Sequence, residues 1–452
     1  MANRDPDLSP APAKPGLPSS IPRGRMALLF SVMLVTAAGN TAMQSVMPSI
    51  GTQLGVEDFW ISLAYTWSAL LWVTCAPIWA RRSDKRGRKS MMALGMVGFI
   101  SSMGLCGLVL WFGLAGLLPA LWTLLLFAAA RSLYGGFGSA APPAVQAYVA
   151  ARTARSERTN ALSLIASSFG LGTVLGPALA PLLIFPGLDL VGPFIAFAAI
   201  GVIALVALRW RLPNDEPQYA ARGKTFSEPF SASSQSSEGS DDDEDENNEG
   251  PRERLSWWEP RVRPWVIAGL VGGHAQAMVL GIVGFLVLDR LGLRSDPLSG
   301  AGPVGLVLMS GALATLVAQW GVIPRFNLGP RAATLGGIAL AGLGVAMFAA
   351  SLSLNAIAFG YAVACLGFGL FRPGTTSGTS LAVTRAEQGE ASGIVASVAG
   401  AAFVFAPALG VWLYNLSEPL AFGLVIGLCL AVLIVGWKQL TADEVLTTDR
   451  RN

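Results

Sequence analysis

Apolar runs long enough to cross a bilayer, about 20 residues each, recur along nearly the whole of this chain, and that repetition leaves few folds open to it. Backbone amides have no water partner in hydrocarbon, so each run must satisfy its own hydrogen bonds as a helix. A composition that is 53% hydrophobic and 13% charged excludes a soluble core of this size. The runs fall at roughly 26–50, 59–80, 90–112, 120–150, 160–184 and 190–210, and again at roughly 264–288, 302–324, 331–352, 355–383, 391–414 and 419–437. The expectation is an all-α integral membrane protein with twelve transmembrane helices, numbered here as spans one to twelve.

The stretches outside the spans divide the chain further. Residues 1–25 are Pro-rich and polar, with neither an apolar core nor a small-residue cleavage site, and read as a disordered tail rather than a signal peptide. Residues 26–211 form a first six-helix unit and 264–438 a second. Between them, 212–263 carries the acidic run 241–246 among Ser, Asn and Gly and reads as a disordered, solvated linker. Residues 439–452 are a short polar tail.

Lys and Arg gather on the cytoplasmic side of short loops. Of the 31 basic residues, only Arg290 and Arg294 fall on the face opposite the termini, and only Arg131 and Arg372 fall deep inside spans. Both termini are therefore expected in the cytoplasm, with the chain multi-pass in the cell's inner (plasma) membrane.

Several chemistries lack material. Cys75, Cys106, Cys365 and Cys429 stand singly within spans, without the spacing of a metal site. One histidine gives neither a zinc site nor a Ser-His-Asp triad, and no lysine lies in a phosphate-binding P-loop. No enzyme activity, cofactor, metal or nucleic-acid partner is expected; the partners are the lipid bilayer and a small-molecule substrate.

The two halves resemble one another. Span five runs from Ala161 to Gly176-Pro177-Ala178-Leu179-Ala180, and span eleven runs from Gly393 to Ala406-Pro407-Ala408-Leu409-Gly410. Duplication of a six-span unit accounts for this better than chance likeness of Ala/Gly-rich helices, and such duplication is a common construction of secondary transporters.

Three local motifs add to the duplication. Between spans two and three, Asp84-Lys85-Arg86-Gly87-Arg88-Lys89 resembles the D-R-x-G-R-R signature of the major facilitator superfamily. Arg131-Ser132-Leu133-Tyr134-Gly135 in span four resembles its R-x-x-Q-G pattern, and Gly172-x-x-x-Gly176-Pro177 in span five resembles the G-x-x-x-G-P pattern of its drug/proton antiporters. The departures are Ala80 for a glycine, Arg82 at an apolar position, Tyr134 for Gln, and Ala180-Pro181 for Gly-Gly. The second half keeps Gly329 opposite Gly87 but has Phe326 where Asp84 would fall.

The resemblance implies two pseudo-symmetric six-helix bundles, alternating access around a central cavity, export of a drug or metabolite, and protons as the coupling ion. It further implies that Asp84, with Arg86, Gly87 and Arg88, acts on the conformational change near the start of span eleven, where a helix N-terminus favours a carboxylate. Gly172, Gly176 and Pro177 suit close helix approach or a hinge.

A guanidinium at bilayer depth costs about 3 kcal/mol or more, so Arg131 and Arg372 must face protein or a wet cavity. In the superfamily architecture spans one, four, seven and ten surround the cavity, which would place the two arginines across it from one another. Asn40 and Gln44 form an i,i+4 pair in span one, Tyr134 stands beside Arg131, and span seven offers His274 and Gln276 at similar depth. No carboxylate falls within a membrane core; Asp289 lies at the margin of span seven. Coupling through His274, coupling through Asp84 and Arg131, and no coupling at all remain open, as do uptake of an organic anion and a transport-dead sensor. Two arginines without a counter-charge favour an anionic or zwitterionic solute over a lipophilic cation.

Overall fold

The computed structural model describes residues 21–150, 152–153, 155–213, 255–383 and 387–442. It is built of helices α1 (Arg23–Leu54), α2 (Asp58–Arg86), α3 (Arg88–Leu114), α4 (Ala120–Gly136), α5 (Ala141–Ala150), α6 (Arg155–Leu179), α7 (Gly192–Arg211), α8 (Arg263–Arg290), α9 (Pro297–Leu316), α10 (Ile323–Phe326), α11 (Pro330–Ala350), α12 (Leu354–Leu381), α13 (Gln388–Leu416) and α14 (Glu418–Gln439). With α4–α5 and α9–α10 each making one crossing, eleven helical segments among the described residues are long and apolar enough to span a membrane. The more polar α6, 25 residues long, takes the place of span five. The chain is therefore a multi-pass membrane protein.

Two spans are less regular than their apolar runs suggest. Span four breaks after α4 into a 3-10 turn, Gly138–Ala140, before α5. Pro142 and Pro143 have no amide hydrogen to donate there, and a Cβ at Gly138 would press on the Tyr134 ring. Span eight passes from α9 through a π-helical segment, Val317–Val322, into α10, a widening of the helix that recurs at functional sites. Span five stops at Leu179, where Ala180 leads into the 3-10 turn Pro181–Leu183.

The helices pack as two bundles, α1–α7 and α8–α14. Within the first, α6 lies on α1 because glycine leaves the backbones free to meet: a Cβ at Gly172 would stand 2.6 Å from the Ala37 Cβ, and one at Gly176 would strike Thr41 Oγ1 and the Ala38 carbonyl oxygen. Thr41 Oγ1 also donates across this seam to the Gly172 carbonyl oxygen at 3.3 Å. The second bundle makes the same seam with the glycine moved to the partner helix, for a Cβ at Gly281 of α8 would meet the Pro407 carbonyl oxygen of α13 at 2.6 Å. Duplicated geometry is thus kept by exchanged side chains.

The bundles meet along α1, α2 and α6 of the first and α8, α9 and α13 of the second. Gly284 abuts Pro48, Gly305 lies beneath the Pro177 carbonyl, and Gly400 packs on Val73. Call the face bearing residue 21 and Gln439 the near face, and the opposite one the far face. Residues 214–254 of the linker and its acidic run lie outside the described residues. Its last part is packed, differing from the free spacer read from composition. Leu255 is buried with Val262, Val266, Ala391, Ile394 and Val398, and Arg261 pairs with Glu259 and Glu387.

Candidate functional site: two cavities and a far-face clasp

Arg131 stands on α4 about 17 Å from the far end at 1.5 Å per residue, and only 2% of it is exposed. Its helix is pressed against α2, where Ser68 Oγ donates to the Arg131 carbonyl oxygen at 3.2 Å. The guanidinium Nη2 donates to Asn40 Oδ1 of α1 at 2.9 Å. It also lies over two phenol rings, 4.8 Å from the centroid of Tyr134 and 5.7 Å from that of Tyr65, contacts that favour a cation more strongly once water is excluded. Arg131 Nε and Tyr65 Oη are buried without a hydrogen-bond partner. Among the described residues no carboxylate reaches Arg131, and its guanidinium is held in the first bundle by one amide and two aromatic faces.

Tyr65 also lines a cavity of about 70 Å³ between the bundles. Gln44, Met47 and Ser62 form its first-bundle wall, and Phe285, Phe403 and Pro407 form part of the other. A smaller cavity of about 30 Å³ lies on the near side within the second bundle, among α8, α12 and α13, and is lined by Arg372, Trp265, Thr375 and Phe371. Phe403 lines both cavities. Its ring lies 5.8 Å from the Arg372 guanidinium carbon, so it stands as a partition between the near and far cavities.

The residues singled out from sequence separate into groups. Asn40, Arg131 and Tyr134 come together, and Gln44 reaches the far cavity one helical turn beyond Asn40. Arg372 lines the near cavity, whereas Arg131 lies behind Tyr65. His274 is half-buried and turns Nδ1 onto the carbonyl oxygen of Leu270 in its own helix at 2.7 Å. Gln276 leaves Oε1 buried without a partner. Neither His274 nor Gln276 lines a cavity described above.

The far face carries a site that sequence reasoning missed. Arg294, in the loop between α8 and α9, extends to the first bundle and grips Asp58 with both terminal nitrogens, at 2.8 and 2.7 Å. Its Nε donates to Asp289 at 2.7 Å and Nη1 donates to Thr52 at 3.1 Å. Tyr414 donates to the same Asp289 at 2.7 Å, and Arg290 pairs with Glu418 alongside. Burial opposes the charge on Arg294, but hydrogen bonds to Asp58 and Asp289 more than offset it and raise its pKa. Two carboxylates, one from each bundle, thus share one guanidinium and clasp the bundles over the far cavity. The available signal was the exceptional position of Arg290 and Arg294 in the charge distribution.

On the near face, Gly87 joins α2 to α3 with φ +88°, a left-handed conformation that glycine adopts without a Cβ clash. Arg86 is exposed and Arg88 partly exposed, while the Asp84 side chain lies outside the described residues. Gly172, Gly176 and Pro177 lie on the α1–α6 seam and its continuation toward Gly305.

Similarities to known proteins agree with this architecture. Over 180 residues the chain is 31% identical to a protein of Streptomyces coelicolor named "Probable actinorhodin transporter", covering 39% of this chain and 28% of that one. It is 26% identical over 192 residues to the multidrug resistance protein MdtG of Proteus mirabilis, covering 40% and 44%. It is 31% identical over 134 residues to a multi-drug resistance efflux pump PmrA homolog of Lactococcus lactis, covering 30% of each. The matched stretches therefore span less than half the length of these relatives. In fold, the chain is similar to a bacterial homologue of the human lysosomal transporter Spinster, with TM-score 0.65, 12% identity, and 94% and 97% of the two chains covered. It is likewise similar to a bacterial homologue of the iron transporter ferroportin, with TM-score 0.64, 14% identity, and 93% and 100% covered. The family model described as Major Facilitator Superfamily matches residues 29–376, and the chain is a member of that superfamily of transporters.

Proposed function

We propose that this transporter exports a small amphipathic organic compound across the inner membrane by alternating access, with proton antiport as the source of energy. The near face is cytoplasmic in this reading, which agrees with the concentration of Lys and Arg on that side. The observation that carries the proposal is the far cavity, which lies between two bundles clasped above it by Arg294 and Asp58. An exporter needs such a compartment, closed to the outside until the clasp parts. Met47, Phe285 and Phe403 give it an apolar wall, while Gln44 and Ser62 supply polar groups, a mixture that suits an amphipathic guest. The efflux names carried by its relatives point the same way.

In this account Asn40, Gln44, Arg131, Tyr134, His274, Gln276 and Arg372 form the polar inner surface used during passage. Asp84, Arg86, Gly87, Arg88, Gly172, Gly176 and Pro177 govern the conformational change. Purified protein in liposomes tests the direction and the driving force together. Proton flow toward the near face should drive an amphipathic dye out through the far face, and collapse of the gradient should stop it. Equal dye movement with and without the gradient would make the protein a facilitator.

A further inference from the structure

We propose that the near cavity is the seat of an anionic group, so that the transported compounds are amphipathic organic anions whose apolar bodies pack against Phe403. This rests on the transporter reading above and names its substrate class. Trp265 is 1% exposed, lines the near cavity, and buries an indole N–H that has no hydrogen-bond partner. A buried donor without a partner is destabilising, and an acceptor brought to it as the cavity widens relieves it. Arg372 lines the same space and supplies a guanidinium suited to a carboxylate, phosphate or sulfonate.

The rest of the lining fixes the sign of the guest's charge. Among the described residues, neither cavity has an Asp or Glu in its wall. The hydroxyls of Thr375 and Thr379 are turned onto helix carbonyls, at 3.0 Å to Arg372 and 2.9 Å to Thr375. A cation entering would meet Arg372 and lose water without compensation. An anion meets two donors and then, at Phe403, the apolar surface that continues into the far cavity. The cavity at rest is only about 30 Å³, so the compound's body extends past the Phe403 ring when that ring turns.

Binding of two fluorophores that share a dansyl group and carry opposite charge, dansylglycine and dansylcadaverine, to the purified full chain tests this without reference to direction of transport. Wild type should bind the anion about tenfold more tightly than the cation. Arg372→Gln should weaken the anion by about tenfold and Trp265→Phe by about fivefold, with dansylcadaverine unchanged, and Arg372→Lys should recover part of the loss. Equal or tighter binding of the cation by wild type, no binding of dansylglycine, or unchanged anion affinity in both folded variants would overturn the proposal. If a variant does not fold, the wild-type comparison alone decides. An exporter that selects cations refutes this inference and leaves the export reading standing; anion selectivity in a protein that moves nothing outward does the reverse.

Discussion

Removing the charge from Asp58 should open the far face. The Asp58 side chain is 8% exposed and that of Arg294 32%, so the pair lies between a buried and a surface ion pair. Breaking a buried pair costs about 3–5 kcal/mol, whereas exposed pairs contribute about 0–1 kcal/mol. Arg294 keeps Asp289 and Thr52 when Asp58 becomes Asn, and one neutral hydrogen bond survives, so we take about 2 kcal/mol from this range. The far-face-closed state loses this in full only if the clasp is absent from the open state. The equilibrium then shifts roughly 30-fold toward opening. A cysteine at Ser62, which lines the far cavity, reports the shift once Cys75, Cys106, Cys365 and Cys429 are replaced. In intact cells a membrane-impermeant maleimide should label it slowly in the parent and at least about tenfold faster with Asp58→Asn or Arg294→Gln. Unchanged labelling in correctly inserted protein would refute the role of the clasp.

Gly176→Val should lower the thermal stability of the detergent-solubilised protein by about 1–3 kcal/mol, since the side chain must displace Thr41 and the α1 backbone; Gly104→Ala, with open space around its Cβ, serves as the control and should not. Arg131→Ala should insert normally yet lose most transport, whereas wild-type rates per folded molecule would make Arg131 a tie between helices only. Deleting 218–250 should leave transport intact, because the packed part of the linker begins at Leu255; loss of transport in inserted protein would give the acidic segment a working role.

The spans were legible because a bilayer makes each helix satisfy its own backbone, and a run of apolar residues is a one-dimensional signal. The glycine pattern of α6 was legible for a related reason, since spacing by four places Gly172 and Gly176 on one helix face. Side-chain destinations were harder. Phe403 and Phe405 stand two residues apart in equally apolar sequence, yet Phe403 is 6% exposed and partitions two cavities while Phe405 is 66% exposed on the outer surface. Depth together with the superfamily resemblance suggested one cavity for Arg131 and Arg372, but the first turns to Asn40 and Tyr134 while the second lines a cavity inside its own bundle. The clasp joins a loop arginine to helix-end residues far apart in the chain, a pairing that helix periodicity does not reach. The π-helical segment of span eight was likewise not read from the sequence, although Gln319 and Gly321 interrupt the apolar run there and Pro324 follows it.

Export is the central claim, and accumulation of labelled solutes in intact cells tests it most directly. Anionic, zwitterionic and cationic amphiphiles would be followed in cells with and without the protein, each with and without a protonophore. Lower accumulation of at least one class when the protein is present, abolished by the protonophore, is the predicted result. Higher accumulation, or a difference that survives the protonophore, would contradict proton-driven export.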